Sequence, residues 1–271
     1  MSWRAVARTD ARTARRARGT IALFAVFLLA YLGLAAVLLY VDDPAFVTYL
    51  DLLATLFVLL VPLIAVLFGY ESVIGERDSG TAALALSLPH SRFDLAVGKL
   101  AARTGLLAAA VGLGTLLAGV LTSVTFDGFD PIALIGLAAV AIGYGGVFLL
   151  LATGLSMGLS TTRRVITAAF GAYLGLVVFG AQVVNAVVVL LFRLQPGALA
   201  DPPTWAQFVT FILPDTAVEY LLVQLLGEGP LLAAPAQSGW FVSPIVAVVA
   251  LLAWGAVPFV VGYRRFDGSD L

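Results

Sequence analysis

The chain has 271 residues, of which 61% are hydrophobic and only 11% are charged, and its formal net charge is −1. A soluble domain of this size carries about 25% charged residues, whereas an apolar run of about 20 residues crosses the hydrocarbon core of a bilayer. Several runs reach that length, so the composition excludes a soluble protein and predicts an all-α, polytopic membrane protein. Cysteine is absent, which excludes disulfides, thiolate metal sites and cysteine nucleophiles.

The first 19 residues have the pattern of an amphipathic helix. Arg4, Arg8, Arg12 and Arg16 recur at a spacing of four and therefore share one helical stripe. Small and apolar residues lie roughly opposite, although Asp10 interrupts that face. The pattern predicts an N-terminal helix that lies in the membrane interface with its arginines outward. A positive flank that only sets the topology explains the same arginines.

Six transmembrane helices are predicted from the apolar runs. The first run is 22 residues long, which exceeds the ~7–15 residues of a cleavable signal peptide, so we expect a retained span. The predicted spans cover residues 20–41, 50–70, 104–126, 132–158, 165–192 and 241–263.

The distribution of charge predicts the orientation of these spans. With a cytoplasmic N-terminus, 14 of the 15 Lys and Arg residues fall on the inside, and Arg193 alone falls outside. The outside segments are instead acidic. This asymmetry is the one that the positive-inside rule describes. We therefore expect a multi-pass protein of the cell membrane with both termini in the cytoplasm.

A seventh apolar stretch, residues 205–226, is long enough to span but has Pro214, Asp215 and Glu219 near its centre. A single charge at that depth costs ~2.5–3.5 kcal/mol, and a seventh crossing would carry the basic C-terminus outside. We therefore predict two short helices broken at Pro214. They would dip into the outer face or lie on it, within an extracytoplasmic segment at 193–240.

With Asp51 counted among the outside loops, the predicted spans contain no ionisable residue. Such residues mark proton relays, ion sites and intramembrane catalysis. Their absence argues against an ion-coupled carrier and an intramembrane protease, and favours a transporter driven from elsewhere. The carboxamides of Gln182 and Asn185 lie three residues apart on one helix face. They either line a pathway or bond to a neighbouring helix.

Residues 71–103 form a polar insert between two apolar runs, and they contain the only His and the only Lys of the chain. The second span is expected to continue into the cytoplasm as far as Asp78. Gly80 and its neighbours then break it, and residues 82–88 form a short Leu-rich helix that ends at Pro89. The next helix continues into the third span. An apolar surface on such a loop indicates a docking site.

The second inside loop, residues 160–164, is short. Thr161 or Thr162 is expected to cap the fifth helix, and the two arginines that follow anchor it. The chain has no G-x-x-x-x-G-K-[ST] motif, so it is not expected to hydrolyse nucleotide itself. His90 has no second ligand nearby in sequence. No metal site, catalytic constellation or nucleic-acid-binding feature is therefore predicted.

The segment ERDSGTAALALSLPHSRFDLAVGK, from Glu76 to Lys99, resembles the cytoplasmic motif of ABC-2-type transporter permeases. That motif runs E-R-x-x-G-T, a short Leu-rich helix, a small-Pro pair, S-R and a G-K that enters the third span. The matching residues are Glu76, Arg77, Gly80, Thr81, Leu84, Leu88, Pro89, Ser91, Arg92, Gly98 and Lys99. The whole chain is similar to the family in plan. The stretches MSWRAVAR and SLPHSR resemble the subgroup that includes the permease of nitrous-oxide-reductase copper-site maturation.

The resemblance implies a permease dimer that binds two separate cytoplasmic ATPase subunits, which would hold ATP and Mg; this chain itself would bind no cofactor. The coupling helix would fill a cleft of the ATPase. Its interface residues would be Glu76, Arg77, Gly80, Thr81, Leu84, Leu88, Pro89 and Arg92. A second contact would come from Thr161, Thr162, Arg163 and Arg164. The Ala-rich sequence AALALS departs from the Glu and bulkier residues that the family often has there.

The expected function is that of a non-catalytic permease subunit of an ABC transporter, and the family resemblance implies an exporter. The alternative is a membrane scaffold or assembly factor that recruits a cytoplasmic protein without transport. Both hypotheses predict the docking loop, but only the first predicts ATPase activity that responds to changes in that loop. The spans carry almost no specific polar chemistry, so the sequence does not define a substrate.

Overall fold

The structure is a computed structural model, and it describes residues 3–14, 18–41, 45–70, 72, 74–75, 92–192, 199, 202–233 and 236–268. Over these residues the chain is mostly helical. The one extended pairing within them is an isolated bridge between Ala45 and Asp127. The all-α fold class is therefore confirmed for the described part of the chain.

The described helices are, in chain order, α1 (Trp3–Ala14), α2 (Arg18–Leu28), α3 (Leu34–Tyr40), α4 (Phe46–Gly69), α5 (Arg92–Thr125), α6 (Pro131–Gly158), α7 (Thr162–Tyr173), α8 (Gly180–Leu191), α9 (Thr204–Phe211), α10 (Pro214–Leu226) and α11 (Pro244–Asp267). A π-helical turn at Leu29–Gly33 joins α2 to α3, and another at Leu174–Val178 follows α7. α1 lies where the amphipathic pattern predicts a helix, and its location in the membrane interface stays a prediction.

Five helical stretches of the described chain are long and apolar enough to cross a membrane: Gly19–Tyr40, Phe46–Gly69, Arg92–Thr125, Pro131–Gly158 and Pro244–Asp267. Two further stretches qualify only as bent pairs. α7 with its π-helical turn meets α8 at 66°, and α9 meets α10 at 77°. The protein is thus a multi-pass membrane protein with five to seven candidate spans, and the fifth predicted span, 165–192, is not a single straight helix.

One end of the helix bundle collects basic residues. The backbone N–H of Ile74 donates to Ser156 Oγ at 3.0 Å, which ties the exit of α4 to the end of α6. Arg92, at the start of α5, donates to the backbone carbonyl of Asp267 at 2.8 Å. The ends of α4, α5, α6 and α11 therefore meet. We define this basic end by Arg92, Arg163, Arg164, Arg264 and Arg265.

The opposite end collects acidic residues. The backbone N–H of Phe46, at the start of α4, donates to the carbonyl of Asp127 at 3.0 Å. Asp130 caps α6, its carboxylate accepting from the N–H of Ile132 at 2.8 Å. We define this acidic end by Asp51, Asp127, Asp130 and Glu228. The charge asymmetry of the sequence thus corresponds to two physical ends of the molecule.

α6 and α11 cross with almost no side chain between them. A Cβ added to Gly154 would lie 2.6 Å from the backbone nitrogen of Phe259 and closer still to Pro258. One added to Gly262 would overlap the backbone of Gly154. Small residues at a helix crossing allow this approach. The bundle is therefore held at this crossing by backbone contact.

A second pair of small residues, Gly171 and Gly175, has the same spacing as Gly154 and Gly158. The spacing predicts close packing here too. The structure shows none within the described part of the chain, because a Cβ added at either position would meet no atom within 4 Å. Spacing defines a smooth helix face, but only the arrangement of neighbouring helices decides whether that face is covered.

α9 and α10 enter and leave the bundle at the same end. Gln207 in α9 accepts from the N–H of Ser238 at 3.0 Å, in the loop that precedes α11. α10 ends at Gly227, whose φ of 85° suits glycine. Between these points the pair reaches inward, since Val218 and Tyr144 line the same small internal cavity. Tyr144 is the fourteenth of the 28 residues of α6, so α10 extends about half-way along that helix.

Asp51 fastens the loop after α10 to the bundle. It lies one turn into α4 and is only 5% exposed. Its two carboxylate oxygens accept from the N–H groups of Leu232 at 2.8 Å and Leu231 at 3.1 Å. Gly229 is packed so closely against this carboxylate that a Cβ would overlap it. Asp51 is thus part of a membrane helix and does not lie in an outside loop as the sequence suggested.

Replacing Asp51 with Ala is expected to lower the free energy of unfolding by about 1.5–3 kcal/mol, because two N–H groups lose a charged acceptor. Thermal unfolding of the purified protein in detergent would measure this loss. Asp127→Ala removes an exposed carboxylate at the same end and serves as the control. Equal midpoints for the two variants would show that Asp51 does not stabilise the loop.

Candidate functional site

The predicted coupling segment lies mostly outside the described residues. This applies to Glu76, Arg77, Gly80, Thr81, Leu84, Leu88 and Pro89. The structure does describe both of its attachments to the bundle. These are Ile74, bonded to Ser156 at the end of α6, and Arg92, the first residue of α5. The 16 residues from 76 to 91 therefore connect two fixed points at the basic end.

Arg92 is held against the C-terminal end of α11. Its guanidinium donates to the backbone carbonyls of Phe266 and Asp267 and lies 5.4 Å from the centre of the Phe266 ring. A cation at the end of a helix also interacts favourably with the helix dipole. Arg92 thus connects the start of α5 to α11, a contact that its place in the sequence motif does not reveal.

The turn between α6 and α7 lies beside the same helix end. Thr161 caps α7, since its hydroxyl accepts from the N–H of Arg164 at 3.4 Å. The Arg164 guanidinium donates to Ser160 Oγ at 3.2 Å. Both Arg163 and Arg164 are exposed. Thr161, Thr162, Arg163 and Arg164 therefore form an exposed patch at the basic end.

The last turns of α11 lie between these two candidate contact regions. Gly262 packs against Gly158, where a Cβ would lie 3.2 Å from the Gly262 Cα. One turn further on, Phe266 receives the Arg92 guanidinium. The attachment points at Ile74 and Arg92 thus lie at the same end of the bundle as the turn at 160–164.

α1 packs along the first half of α5. A Cβ added to Gly98 would lie 2.7 Å from Val6 Cβ, so glycine allows the close approach of the two helices. The backbone N–H of Trp3 donates to Asp94 at 3.0 Å. Asp10 forms ion pairs with Lys99 at 3.7 Å and Arg103 at 4.0 Å. The acidic residue that interrupts the apolar face of α1 in sequence is therefore its electrostatic link to α5.

The Asp10 pairing makes a prediction about α1. Lys99 is only 3% exposed, so removal of a nearby negative charge is costly. We expect Asp10→Asn to weaken the docking of α1 by about 1–2 kcal/mol, since ion pairs that are partly solvated contribute less than fully buried ones. Limited trypsin digestion at the exposed Arg4, Arg8 and Arg12 would report it as faster cleavage. Arg8→Lys is the control: it keeps the exposed positive charge and should leave the other sites of α1 protected from trypsin.

A polar cavity of about 520 Å³ opens among α8, α9, α10 and the loop before α11. Asn185 lines it, whereas Gln182, predicted to share its helix face, is exposed and is not part of the lining. Asp215 and Glu219 also line this cavity. Both were identified in the sequence as obstacles to a seventh span. The sequence does not show that the bend between α9 and α10 directs these two carboxyl groups toward Asn185.

Comparisons with known proteins agree with this architecture. A sequence profile described as "ABC-2 family transporter protein" matches residues 4–271. The chain is similar to a protein named probable ABC transporter permease protein NosY from Pseudomonas aeruginosa, with 28% identity over 96% of each chain. It is also similar to a protein of the same name from Stutzerimonas stutzeri, with 30% identity over 90% of this chain and 89% of that one. The chain therefore belongs to the ABC-2 family of transporter proteins.

Proposed function

We propose that this chain is the membrane-spanning permease subunit of an ABC transporter that works as an exporter. A separate cytoplasmic ATPase subunit would bind ATP and Mg and hydrolyse the nucleotide, and this chain would be non-catalytic. The single observation that carries the proposal is the family match over residues 4–271. The relatives' printed name, ABC transporter permease, supports the same assignment.

The topology that we propose has six spans: α2 with α3, α4, α5, α6, α7 with α8, and α11. The pair α9–α10 would be a re-entrant segment of the extracytoplasmic face, because both of its ends meet loops at the acidic end. The basic end would be cytoplasmic under the positive-inside rule. Both termini would then lie in the cytoplasm of a cell-membrane protein.

The ATPase subunit would dock at the basic end. Its main contact would be the coupling helix within 76–92, and its second contact would be the patch at Thr161–Arg164. The support for this site is the fixed attachment of the segment at Ile74 and Arg92, together with the exposure of the patch. Closure of the ATPase would press on a segment connected directly to α4, α5, α6 and α11. Two copies of the chain would pair, as the family resemblance implies.

Purification from the native membrane would test this function. The tagged chain would be extracted in a mild detergent, its partners identified, and the eluate assayed for ATP hydrolysis. We expect an ABC ATPase subunit and hydrolysis that follows it through the purification. A different cytoplasmic partner without hydrolysis would instead favour the scaffold hypothesis, in which the same surface recruits a protein without transport.

A further inference from the structure

The cavity among α8, α9 and α10 contains two carboxyl groups and is partly apolar. Its polar lining consists of Asn185, Gln207, Thr210, Asp215, Thr216, Glu219, Gln237 and Ser238. Ala181, Leu199 and Ala206 contribute apolar wall. Among the described residues that line it there is no Lys, Arg or His. The cavity therefore presents two carboxylates beside carboxamides and small apolar side chains.

The two carboxylates lie in the interior of the bundle. Asp215 is in the first turn of α10, and Glu219 follows one turn later. Val218, between them, lines the same small internal cavity as Tyr144, half-way along α6. Ionisable residues at such depth are costly and mark pathways and ligand sites. Broken helices at that depth are tolerated where they line a cavity.

Two oxygen atoms of this lining, Asp215 Oδ1 and Gln237 Oε1, are shielded from solvent and have no hydrogen-bond partner among the described residues. The Asp215 carboxyl group as a whole also accepts from the backbone N–H and the hydroxyl of Thr216. Buried polar groups are usually hydrogen-bonded, so a buried group without a partner calls for an explanation. Acceptors beside negative charge suit a ligand that is positive and donates.

Gln207, another residue of the lining, already has hydrogen-bond partners. Its Nε2 donates to the carbonyl of Pro202 at 2.8 Å, and its Oε1 accepts from the N–H of Ser238 at 3.0 Å. Gln207 thus holds the rim of the cavity together. The groups through which the cavity can contact a ligand include Asp215, Glu219, Gln237 and Asn185.

The size of the cavity and the residues that line it favour an organic cation over a metal ion. A volume of about 520 Å³ falls within the range of small-molecule sites, roughly 300–1,000 Å³. In the described part of the chain no group of three His, Cys, Asp or Glu residues is placed to hold a metal. We propose that this cavity binds an organic cation, an ammonium or amidinium group on a small apolar skeleton, with Asp215 and Glu219 as its counter-charges. The inference concerns binding alone and does not depend on an ATPase partner.

Titration of the full-length chain in nanodiscs would test it. Benzylammonium is the probe, and benzyl alcohol is a neutral probe of similar shape; calorimetry at constant ionic strength measures both. We expect saturable binding of benzylammonium and none of benzyl alcohol. Asp215→Asn and Glu219→Gln should each weaken binding at least tenfold. Glu228→Gln, which removes an exposed carboxylate at the acidic end, should leave it unchanged.

Each alternative result would overturn the proposal. Absence of benzylammonium binding, or equal affinity in Asp215→Asn and Glu219→Gln, would show that the cavity is not a cation site. Displacement of the probe by an equal concentration of magnesium would assign it to an inorganic ion. Arg193 lies outside the described residues, so Arg193→Gln tests whether the chain supplies its own cation. Binding that occurs only in Arg193→Gln would refute an organic ligand in the native protein.

Discussion

Replacing both Leu84 and Leu88 with Asp is expected to reduce recovery of the ATPase subunit at least about a hundredfold at fixed subunit concentrations, a loss of roughly 2.7 kcal/mol. The two leucines are four residues apart, so on the predicted short helix they share one face. Two carboxylates in an apolar cleft lose their hydration without gaining a partner. Affinity purification followed by quantitative mass spectrometry measures the ratio of the two subunits.

The matched control keeps the face apolar. Leu84→Met with Leu88→Met changes shape but not polarity and should retain the ATPase subunit, because volume-conserving apolar exchanges are well tolerated. Both double variants should reach the membrane in equal amounts, since residues 76–91 lie between helices whose contacts are independent of them. Full retention of the subunit by the Asp variant would place the docking surface elsewhere at the basic end.

Gly262→Ala is expected to be the most destabilising glycine-to-alanine substitution in the described part of the chain. The new Cβ would overlap the backbone of Gly154, so α6 and α11 would have to separate. Overpacking in a core costs typically 1–3 kcal/mol, and a clash with a backbone belongs at the upper end because no side chain can rotate away. We therefore expect a loss of about 3 kcal/mol, seen as a lower unfolding temperature in detergent.

Gly171→Ala is the control for this substitution. A Cβ at Gly171 meets nothing within 4 Å among the described residues, and alanine is about 1 kcal/mol better than glycine inside a helix. This variant should be neutral or slightly stabilised. If the Gly171 variant unfolded at a lower temperature than the Gly262 variant, the face of α7 that carries Gly171 would contact a neighbour outside the described residues. A second copy of the chain in the proposed dimer is the candidate to examine by crosslinking.

The positions of the long apolar helices could largely be predicted from the sequence. Each long helix needs only an apolar run of sufficient length, and each run is a local property of the chain. The family resemblance rested on a similarly local motif between Glu76 and Lys99. Helix α7–α8 was predicted as one span, and the 66° bend after Val178 was missed because no proline marks it.

The partners of individual polar residues could not be predicted in the same way. In the sequence, Asp10 interrupts the apolar face of an amphipathic helix, and Asp51 was assigned to an outside loop. In the structure the first pairs with Lys99 and Arg103, and the second binds Leu231 and Leu232, about 180 residues away along the chain. Arg92 likewise gained a partner in α11. No periodicity encodes such pairs, because they depend on which helices become neighbours.

The sequence by itself determined that this protein is an all-α, multi-pass membrane protein, which of its segments are basic and which acidic, and which family it resembles. These properties follow from run length, charge distribution and a short motif, and the bilayer acts on each of them locally. Only the tertiary structure decided that Gly154 and Gly262 meet while Gly171 stays open, and that Asp215 and Glu219 line an internal cavity. The physical reason is that close packing and charge burial depend on the residues of the neighbouring helices. Those neighbours are fixed only when all the helices are in place.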